Sequence, residues 1–143
     1  MDNIHQAIYD FIKTYPPIDY LFFNINVAED DSFSIIPISH QRNIEEFIDG
    51  TSLERDGYYD FAIVAFTAHT TEPYINDNLN NLMDIQQMII WIEEQNKAGN
   101  RPDLGPEYEV TKIEVLVNIP NTAGQDEHLT KIMFQGRVSY YKK

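Results

Sequence analysis

The apolar residues of the first segment follow the 3.6-residue period of an amphipathic helix. They are Ile4, Ala7, Ile8, Phe11, Ile12 and Tyr15. Asp2 or Asn3 can cap the start of this helix, since short polar side chains accept hydrogen bonds from its first backbone N–H groups. Pro16-Pro17 ends it, because the residue before a proline is pushed out of the helical region. The pattern therefore predicts an N-terminal helix.

Two pairs of β-branched and aromatic runs follow this helix. The runs "IDYLFFNINV" and "SFSIIPI", separated by the acidic stretch "AEDDS", predict a first hairpin. Pro37 cannot donate to a strand ladder, so the second of these strands sits at an edge or ends there. Residues 44 to 69 predict a second hairpin whose tip holds Gly50, with Gly57 marking a bulge or bend.

The strand that closes the second hairpin, "DGYYDFAIVAFTAHTT", is apolar on both faces. Tyr59, Phe61, Ile63, Ala65 and Thr67 point one way, and Ala62, Val64, Phe66 and Ala68 point the other. A strand of this kind is central in its sheet. Helices can cover one face, and either a folded-over hairpin or a neighbouring subunit covers the other.

The longest helical pattern runs from about residue 73 to 98. One stripe comprises Ile75, Leu79, Leu82, Met83, Ile89, Ile90 and Glu93, and Ile85, Met88 and Ile92 widen it. Gly99 is suited to cap the end of the helix.

Two strands close the chain, each with one polar face. In the first, Thr111, Ile113, Val115, Val117 and Ile119 share a face, and in the second, Ile132, Phe134, Val138 and Tyr140 do. The polar linker "NTAGQDEH" between them is predicted to be a mobile hairpin tip. The expected fold is a single α+β domain over residues 1–143. It has an antiparallel or mixed sheet of about five to six strands, packed against the N-terminal helix and one long helix.

Composition narrows the functional classes. The chain of 143 residues is 43% apolar, enough to fold despite a formal net charge of -13. The acid excess disfavours gripping nucleic acid, because that affinity comes largely from cations that displace phosphate counterions. The chain has no cysteine. It also has no signal-peptide pattern and no membrane-spanning run, so we expect a soluble, unprocessed protein without membrane contact.

The sequence carries no recognisable catalytic or metal-binding pattern. Its four histidines, His5, His40, His69 and His128, lack helical ligand spacing, and no nucleophile elbow or phosphate-binding glycine loop is present. We therefore expect no enzyme activity, no metal and no cofactor. A small ligand-binding or enzymatic α+β domain, with a site near His69, Tyr74 and Trp91, is an alternative.

The order of the elements along the chain is similar to that of a known protein family. The stretches "FIDGTSLERDGYYDFAIVAFTAHT", "NDNLNNLMDIQQMIIWIEEQ" and "QGRVSYYKK", in this order along nearly the whole chain, resemble the minor capsid or tail-completion proteins of tailed bacteriophages. These small proteins act as tail terminators at the head-tail junction. The resemblance implies a tail-terminator-like fold and a non-enzymatic ring, typically a hexamer, in the virion. Such a ring, made from subunits synthesised in the host bacterial cytoplasm, would cap the tail tube, join it to the neck protein and leave a channel for DNA.

The resemblance, together with the strand that is apolar on both faces, predicts two groups of contact residues. Candidates for the subunit interface are Asp49, Gly50, Glu54, Arg55, Phe61, Ile63, Val64 and Phe66, and candidates for contact with the tail-tube or neck protein are Asn121, Gly124, Asp126 and His128.

Two physical features fit the same role. The acid excess suits a channel that passes DNA without binding it, and the alternating charges of "LERD", Arg55 above all, could pair between subunits. The rival hypothesis is an acidic DNA mimic that inhibits a DNA-processing protein, although the sequence has no dense acidic helix face.

Overall fold

The computed structural model describes residues 3–18, 20–24, 32–68, 75–116, 121–125 and 129–143. The chain forms an α+β fold, as the sequence predicts. In chain order the elements are α1 (Ile4–Lys13), β1 (Tyr20–Phe23), β2 (Ser32–Glu46), β3 (Ser52–Ala68), α2 (Ile75–Ala98), β4 (Tyr108–Val115), β5 (Asn121–Gln125) and β6 (Leu129–Lys142). The strands form one six-stranded mixed sheet with the order β1-β2-β3-β6-β4, and β5 also pairs with β6.

Helix α1 begins after one of its two predicted caps and ends at Lys13, two residues before Tyr15, the last residue of the predicted stripe. The Asn3 side chain caps it by accepting hydrogen bonds from the backbone N–H groups of His5 and Gln6. Its buried residues join one core with the inner face of the sheet and with α2. Trp91 of α2 holds the two helices together, since its ring lies 5.4 Å from that of Phe11 and 5.2 Å from that of Tyr15.

The prediction of a hairpin between β1 and β2 is wrong, because these strands pair in parallel. Tyr20 lies beside Ser32, and Phe23 lies beside Ile35. Alternation of apolar residues is the same in both orientations, so the pattern shows the two strands but not their relative direction. Pro37 lies beyond the part of β2 that pairs with β1, at a register shift, and the strand continues past it to Glu46. The prediction that β2 is an edge strand or ends at Pro37 is thus wrong for the strand, which lies between β1 and β3, although Pro37 itself lies past the residues that pair with β1.

The second predicted hairpin is confirmed, and it is longer than expected. Strands β2 and β3 pair antiparallel from Ser32 opposite Phe66 to Glu46 opposite Ser52. The bulge lies at Arg55 rather than at Gly57, since Asn43 pairs with Asp56 and the next residue, Ile44, pairs with Glu54.

Gly57 has a different role from the predicted bend. A Cβ atom there would meet the backbone oxygen of Gln41 and would lie 2.6 Å from the hydroxyl oxygen of Tyr140. This position therefore needs glycine because β2, β3 and a tyrosine ring approach one another closely.

Strand β3 lies in the middle of the sheet, and its residues 59–65 are buried on both faces. Tyr59, Phe61, Ile63 and Ala65 belong to the core beneath the helices. On the opposite face Ala62 is 4% exposed and Val64 is 3% exposed in the single chain. At these two positions the second apolar face is covered within the subunit, without a neighbouring copy.

Helix α2 ends at Gly99 as predicted. Gly99 has a φ of 82°, and the backbone N–H of Asn100 donates to the carbonyl oxygen of Gln95. The side chains that face the core are Ile85, Met88, Ile89 and Ile92. The predicted central stripe is partly wrong, since Met83 is 59% exposed and Ile90 is 44% exposed.

Two details of the closing strands differ from the prediction. A register shift after Val110 turns Thr111 outwards, while Val110 and Ile113 are both buried. Residues 121–125 of the predicted mobile tip form β5, which pairs with β6. The apolar face predicted for β6 is confirmed by the burial of Ile132, Phe134, Val138 and Tyr140. Among the described residues, neither helix is long and apolar enough to cross a membrane.

Candidate interaction site on the hairpin arm

The end of the β2–β3 hairpin extends beyond the rest of the sheet. Strand β6 pairs with β3 only from Asp56 onwards, and within the described chain the strand residues between 44 and 55 pair only with one another. We call residues 44–55 the hairpin arm. A two-stranded ribbon of this kind has little core of its own, so its stability depends on contacts at its base or with other molecules.

The turn at the tip of the arm is built by two of the predicted interface residues. The carboxylate of Asp49 accepts hydrogen bonds from the backbone N–H and the hydroxyl of Thr51, at 2.9 and 2.6 Å. These bonds lower the pKa of Asp49. Gly50 has a φ of 86°, a left-handed conformation that glycine adopts without steric cost. Asp49 and Gly50 therefore shape the turn.

The arm exposes large apolar side chains around this turn. Ile44 is 47% exposed, Phe47 44%, Ile48 108% and Leu53 37%. These residues are not among the interface candidates predicted from the sequence. The available signal was the apolar pair Phe47-Ile48 directly before Asp49-Gly50, because side chains at a hairpin tip lie far from any core.

Glu54 ties the base of the arm to the sheet. Its two carboxylate oxygens accept hydrogen bonds from Nε and Nη2 of Arg42, at 3.1 and 3.0 Å. They also accept from the hydroxyls of Tyr140, at 2.9 Å, and Tyr108, at 3.2 Å. The hydrogen bond from Arg42 is the main reason that the pKa of Glu54 falls to about 2, and burial opposes this change. The carboxylate is thus committed within the subunit, which corrects its place among the interface candidates.

Two histidines extend this network along the inner face of the sheet. Nε2 of His40 lies 2.6 Å from the hydroxyl oxygen of Tyr140. Because that hydroxyl donates its proton to Glu54, we assign its oxygen as the acceptor of a proton on Nε2 of His40. Burial lowers the pKa of His40, and Arg42 lowers it further. His5 makes the corresponding contact with Tyr59 at 2.6 Å, and burial raises the pKa of Tyr59 to about 12.

The bulge at Arg55 makes this network possible. Counting back by twos from Gly57 would place Arg55 on the helix-covered face, but the extra residue puts Glu54 there, beside Tyr140. Arg55 instead pairs with Glu45 of the same arm, and both side chains are largely exposed, at 62% and 44%. The charge predicted to pair between subunits therefore has a partner in its own chain.

The remaining interface candidates do not gather on the arm. Phe61 and Ile63 lie in the core, 0% and 1% exposed, and Val64 is buried on the opposite face, so all three are removed from the interface set. The side chain of Phe66 lies outside the described residues.

The structure does not bring the four tail or neck candidates into a described cluster. Asn121 and Gly124 lie in β5, opposite Met133 and Lys131 of β6. Asp126 and His128 lie outside the described residues, as do His69 and Tyr74 of the alternative ligand site. Trp91, the third residue of that site, packs against α1. No group of three potential metal ligands occurs in the described part of the chain.

The chain matches no model of a known protein family and no curated protein.

Proposed function

We propose that the protein is a non-enzymatic assembly protein of a tailed-phage virion that acts at the head-tail junction. Copies form a ring, a hexamer by the resemblance, which terminates the tail tube, joins it to the neck protein and leaves a channel for DNA. The observation that carries this proposal is the hairpin arm, which holds large apolar side chains away from the core of its own subunit.

Apolar exposure on the arm favours binding to another protein. Fully burying one Ile or Phe side chain contributes roughly 1.5–3 kcal/mol, so burial of the exposed side chains around the tip would favour association with a partner. Exposed apolar patches on folded domains commonly mark such interfaces.

The base of the arm also suits a binding role. Glu54 is held by one arginine and two tyrosines, which restrains the arm relative to the sheet. A restrained element loses less conformational entropy when it binds than a mobile loop does. The arm therefore has the exposure and the preorganisation that an assembly contact requires.

Charge supports the second part of the proposal, the passage of DNA. With a net charge of -13, the subunit gains little from the counterion release that makes cationic proteins bind phosphates. The structure gives less support to a DNA mimic, because Glu45, Asp49 and Glu54 of the arm each have a partner within the chain.

The test compares the wild-type protein with a Phe47→Ser/Ile48→Ser double variant. Leu116→Ser is the matched control, since Leu116 is 40% exposed but lies outside the arm. Light scattering and negative-stain electron microscopy at rising protein concentration should show rings for wild type and control and monomers for the arm variant. Attachment to phage tails is compared in the same three proteins.

Two outcomes would contradict the proposal. Assembly and tail attachment of the arm variant at the wild-type level would remove the arm from the interface. Absence of both properties from the wild-type protein, with tight inhibition of a DNA-processing enzyme, would favour the DNA mimic.

A further inference from the structure

One edge of strand β2 has no strand beside it along the hairpin arm. Strand β1 pairs with β2 only from Ser32 to Ile35, and β2 continues to Glu46 with no other described strand on that side. We call residues 42–46 the edge segment. All five of its residues are exposed, and a cavity of about 610 Å³ is lined by Arg55 and by four consecutive residues of this segment, Arg42, Asn43, Ile44 and Glu45. The edge segment is therefore accessible to another molecule.

The backbone of the edge segment determines what kind of partner fits there. In an antiparallel pair, every second residue directs its N–H and C=O groups towards the partner strand, and the residues between direct theirs away. The groups that point away from β3 have no partner within the described chain. Such an edge pairs most readily with another extended strand.

The other edges of the described sheet are less available. In β4 the backbone N–H of Ile113 already donates to Oδ1 of Asn96 in α2, at 3.0 Å. On the β3 side of the arm, the extra residue at Arg55 interrupts the regular ladder. That extra residue belongs to β3, so the edge segment of β2 keeps its alternation of faces.

We propose that the edge segment pairs antiparallel with the same segment of a second copy, about a two-fold axis at Ile44. Arg42 then lies opposite Glu46, Asn43 lies opposite Glu45, and Ile44 lies opposite its own mate. This contact uses the same surface on both copies, whereas a ring of the proposed kind needs two different surfaces on each subunit. The inference thus goes beyond the proposed function and does not depend on it.

The charges of the edge segment are complementary to themselves. Arg42 and Glu46 share one face of the strand, since they lie four positions apart. Arg42 binds Glu54 through Nε and Nη2, but its side chain is 50% exposed and Nη1 has no partner among the described residues. Glu46 is exposed and forms no ion pair within the described chain. The two-fold axis brings these two groups together twice.

The remaining pairs of the segment are also compatible. The Asn43 amide donates one hydrogen to Asp56, which leaves its second hydrogen for Glu45 of the other copy. Glu45 is bound to Arg55 through Oε2 alone, so its Oε1 is available as the acceptor. Ile44, which is 47% exposed, meets an identical apolar side chain. Charged residues usually keep strand edges apart, but here no like charges face each other.

Other registers of the same pairing are less favourable. A slip of one residue would place side chains of opposite faces across from each other. A slip of two residues puts Ile44 opposite a charged group, either Arg42 or Glu46. A slip of four residues sets Arg42 against Arg42 or Glu46 against Glu46, and like charges directly opposite each other destabilise a strand pair. The charge pattern therefore selects the register with Ile44 on the axis.

Disulfide trapping tests the pairing, because the chain has no cysteine of its own. Directly opposite residues of an antiparallel pair have Cα atoms about 4.5–5.5 Å apart, within the range that a disulfide spans. Ile44→Cys should therefore form a covalent dimer in oxidised glutathione. Ile38→Cys is the matched control, since Ile38 lies on the same strand and is 49% exposed. We expect the Ile44→Cys dimer to form at least about tenfold faster, because pairing raises the effective thiol concentration.

Two further comparisons test the register and the charges. When Asn43→Cys and Glu45→Cys chains with tags of different mass are mixed, the mixed disulfide should form faster than either homodimer. In the Ile44→Cys chain, Glu46→Arg should slow the cross-link, because it sets two cations opposite each other. Glu94→Arg makes the same change of charge on an exposed position of α2 and should leave the rate unchanged. Circular dichroism verifies the fold of each variant.

Trapping is the suitable method because the contact is short, so the pairs should dissociate readily and count as monomers in light scattering. Equal rates for Ile44→Cys and Ile38→Cys would overturn the proposal, as would homodimers of Asn43→Cys or Glu45→Cys that form as fast as the mixed disulfide. Rings without a preferred Ile44→Cys disulfide would reject the edge pairing and leave the assembly function standing. A preferred disulfide in a protein that forms no rings and attaches to no tails would support the pairing and reject that function.

Discussion

Strand β3 runs through two regions, one that buries its apolar residues and one that exposes them. In the body of the sheet, Phe61 is 0% exposed and Ile63 is 1% exposed. In the arm, Leu53 is 37% exposed, and Phe47 across the turn is 44% exposed. The body stabilises the subunit through its apolar residues, whereas the arm is kept in place by polar contacts at its base. The comparison teaches that the same strand can bury its apolar residues at one end and expose them at the other.

The largest difference in stability is expected when a phenylalanine is replaced by alanine in each of the two regions. Phe61→Ala should lower the free energy of unfolding by about 3–5 kcal/mol, because it leaves a cavity in the core. Phe47→Ala should change it by less than about 0.5 kcal/mol, since the ring is exposed. Urea denaturation measures both. A loss from Phe47→Ala as large as that from Phe61→Ala would show that the arm belongs to the folding core.

Glu54, at the junction between the two regions, should make the stability of the protein depend on acid pH. The folded-state pKa of Glu54 is lowered to about 2, from an ordinary value of 4.5. Its contribution is therefore fully present above pH 4.5 and is lost as the pH falls towards 2, by an amount on the order of 2–3 kcal/mol. Denaturation across this pH range, for wild type and Glu54→Gln, checks the prediction.

The matched control for the acid experiment is Glu45→Gln, which alters the exposed pair of the arm. This variant should keep the wild-type loss of stability between pH 4.5 and 2, because Glu54 is still present. An unchanged acid profile in Glu54→Gln would mean that other carboxyl groups cause the loss.

The smallest expected difference in stability is between variants of two arginines, one in each region. In the body, Nε and Nη2 of Arg137 donate to Asp60 at 2.7 and 3.0 Å, and its guanidinium lies 4.0 Å from the centre of the Tyr58 ring. Arg137→Ala should cost about 1–2 kcal/mol, because Asp60 is largely buried and loses its partner.

Arg55→Ala in the arm should cost less than about 0.5 kcal/mol, since exposed ion pairs contribute little. Thermal denaturation of the two variants at matched salt concentration measures the difference. Equal losses would show that the arm pair is as important to folding as the pair in the body.

Sequence patterns were sufficient to predict the elements that face the core. The apolar period of residues 4–15 predicted α1, and the caps at Asn3 and Gly99 fixed helix ends because their local geometry demands those residues. Alternation also identified the inner face of β6. These features depend on neighbours close in the chain, which a sequence displays directly.

The features that escaped prediction depend on register and on distant partners. One extra residue at Arg55 exchanges the faces of the arm, and alternation alone does not reveal such an insertion. Glu54 meets Tyr140 across 86 positions of the chain, a separation that no local pattern reports. The apolar tip was overlooked for another reason, since Phe47 and Ile48 resemble the start of a buried strand until the hairpin is seen to project.

The bulge at Arg55 has a consequence for engineering the arm. Side chains alternate between faces, so the position of Glu54 depends on the number of residues between it and Gly57 as well as on their identity. A designer who wishes to shorten or lengthen the arm should therefore change it beyond the bulge, two residues from each strand at a time. Such changes leave Glu54 under Tyr140, keep the side chains of the tip on their faces and alter the reach of the tip.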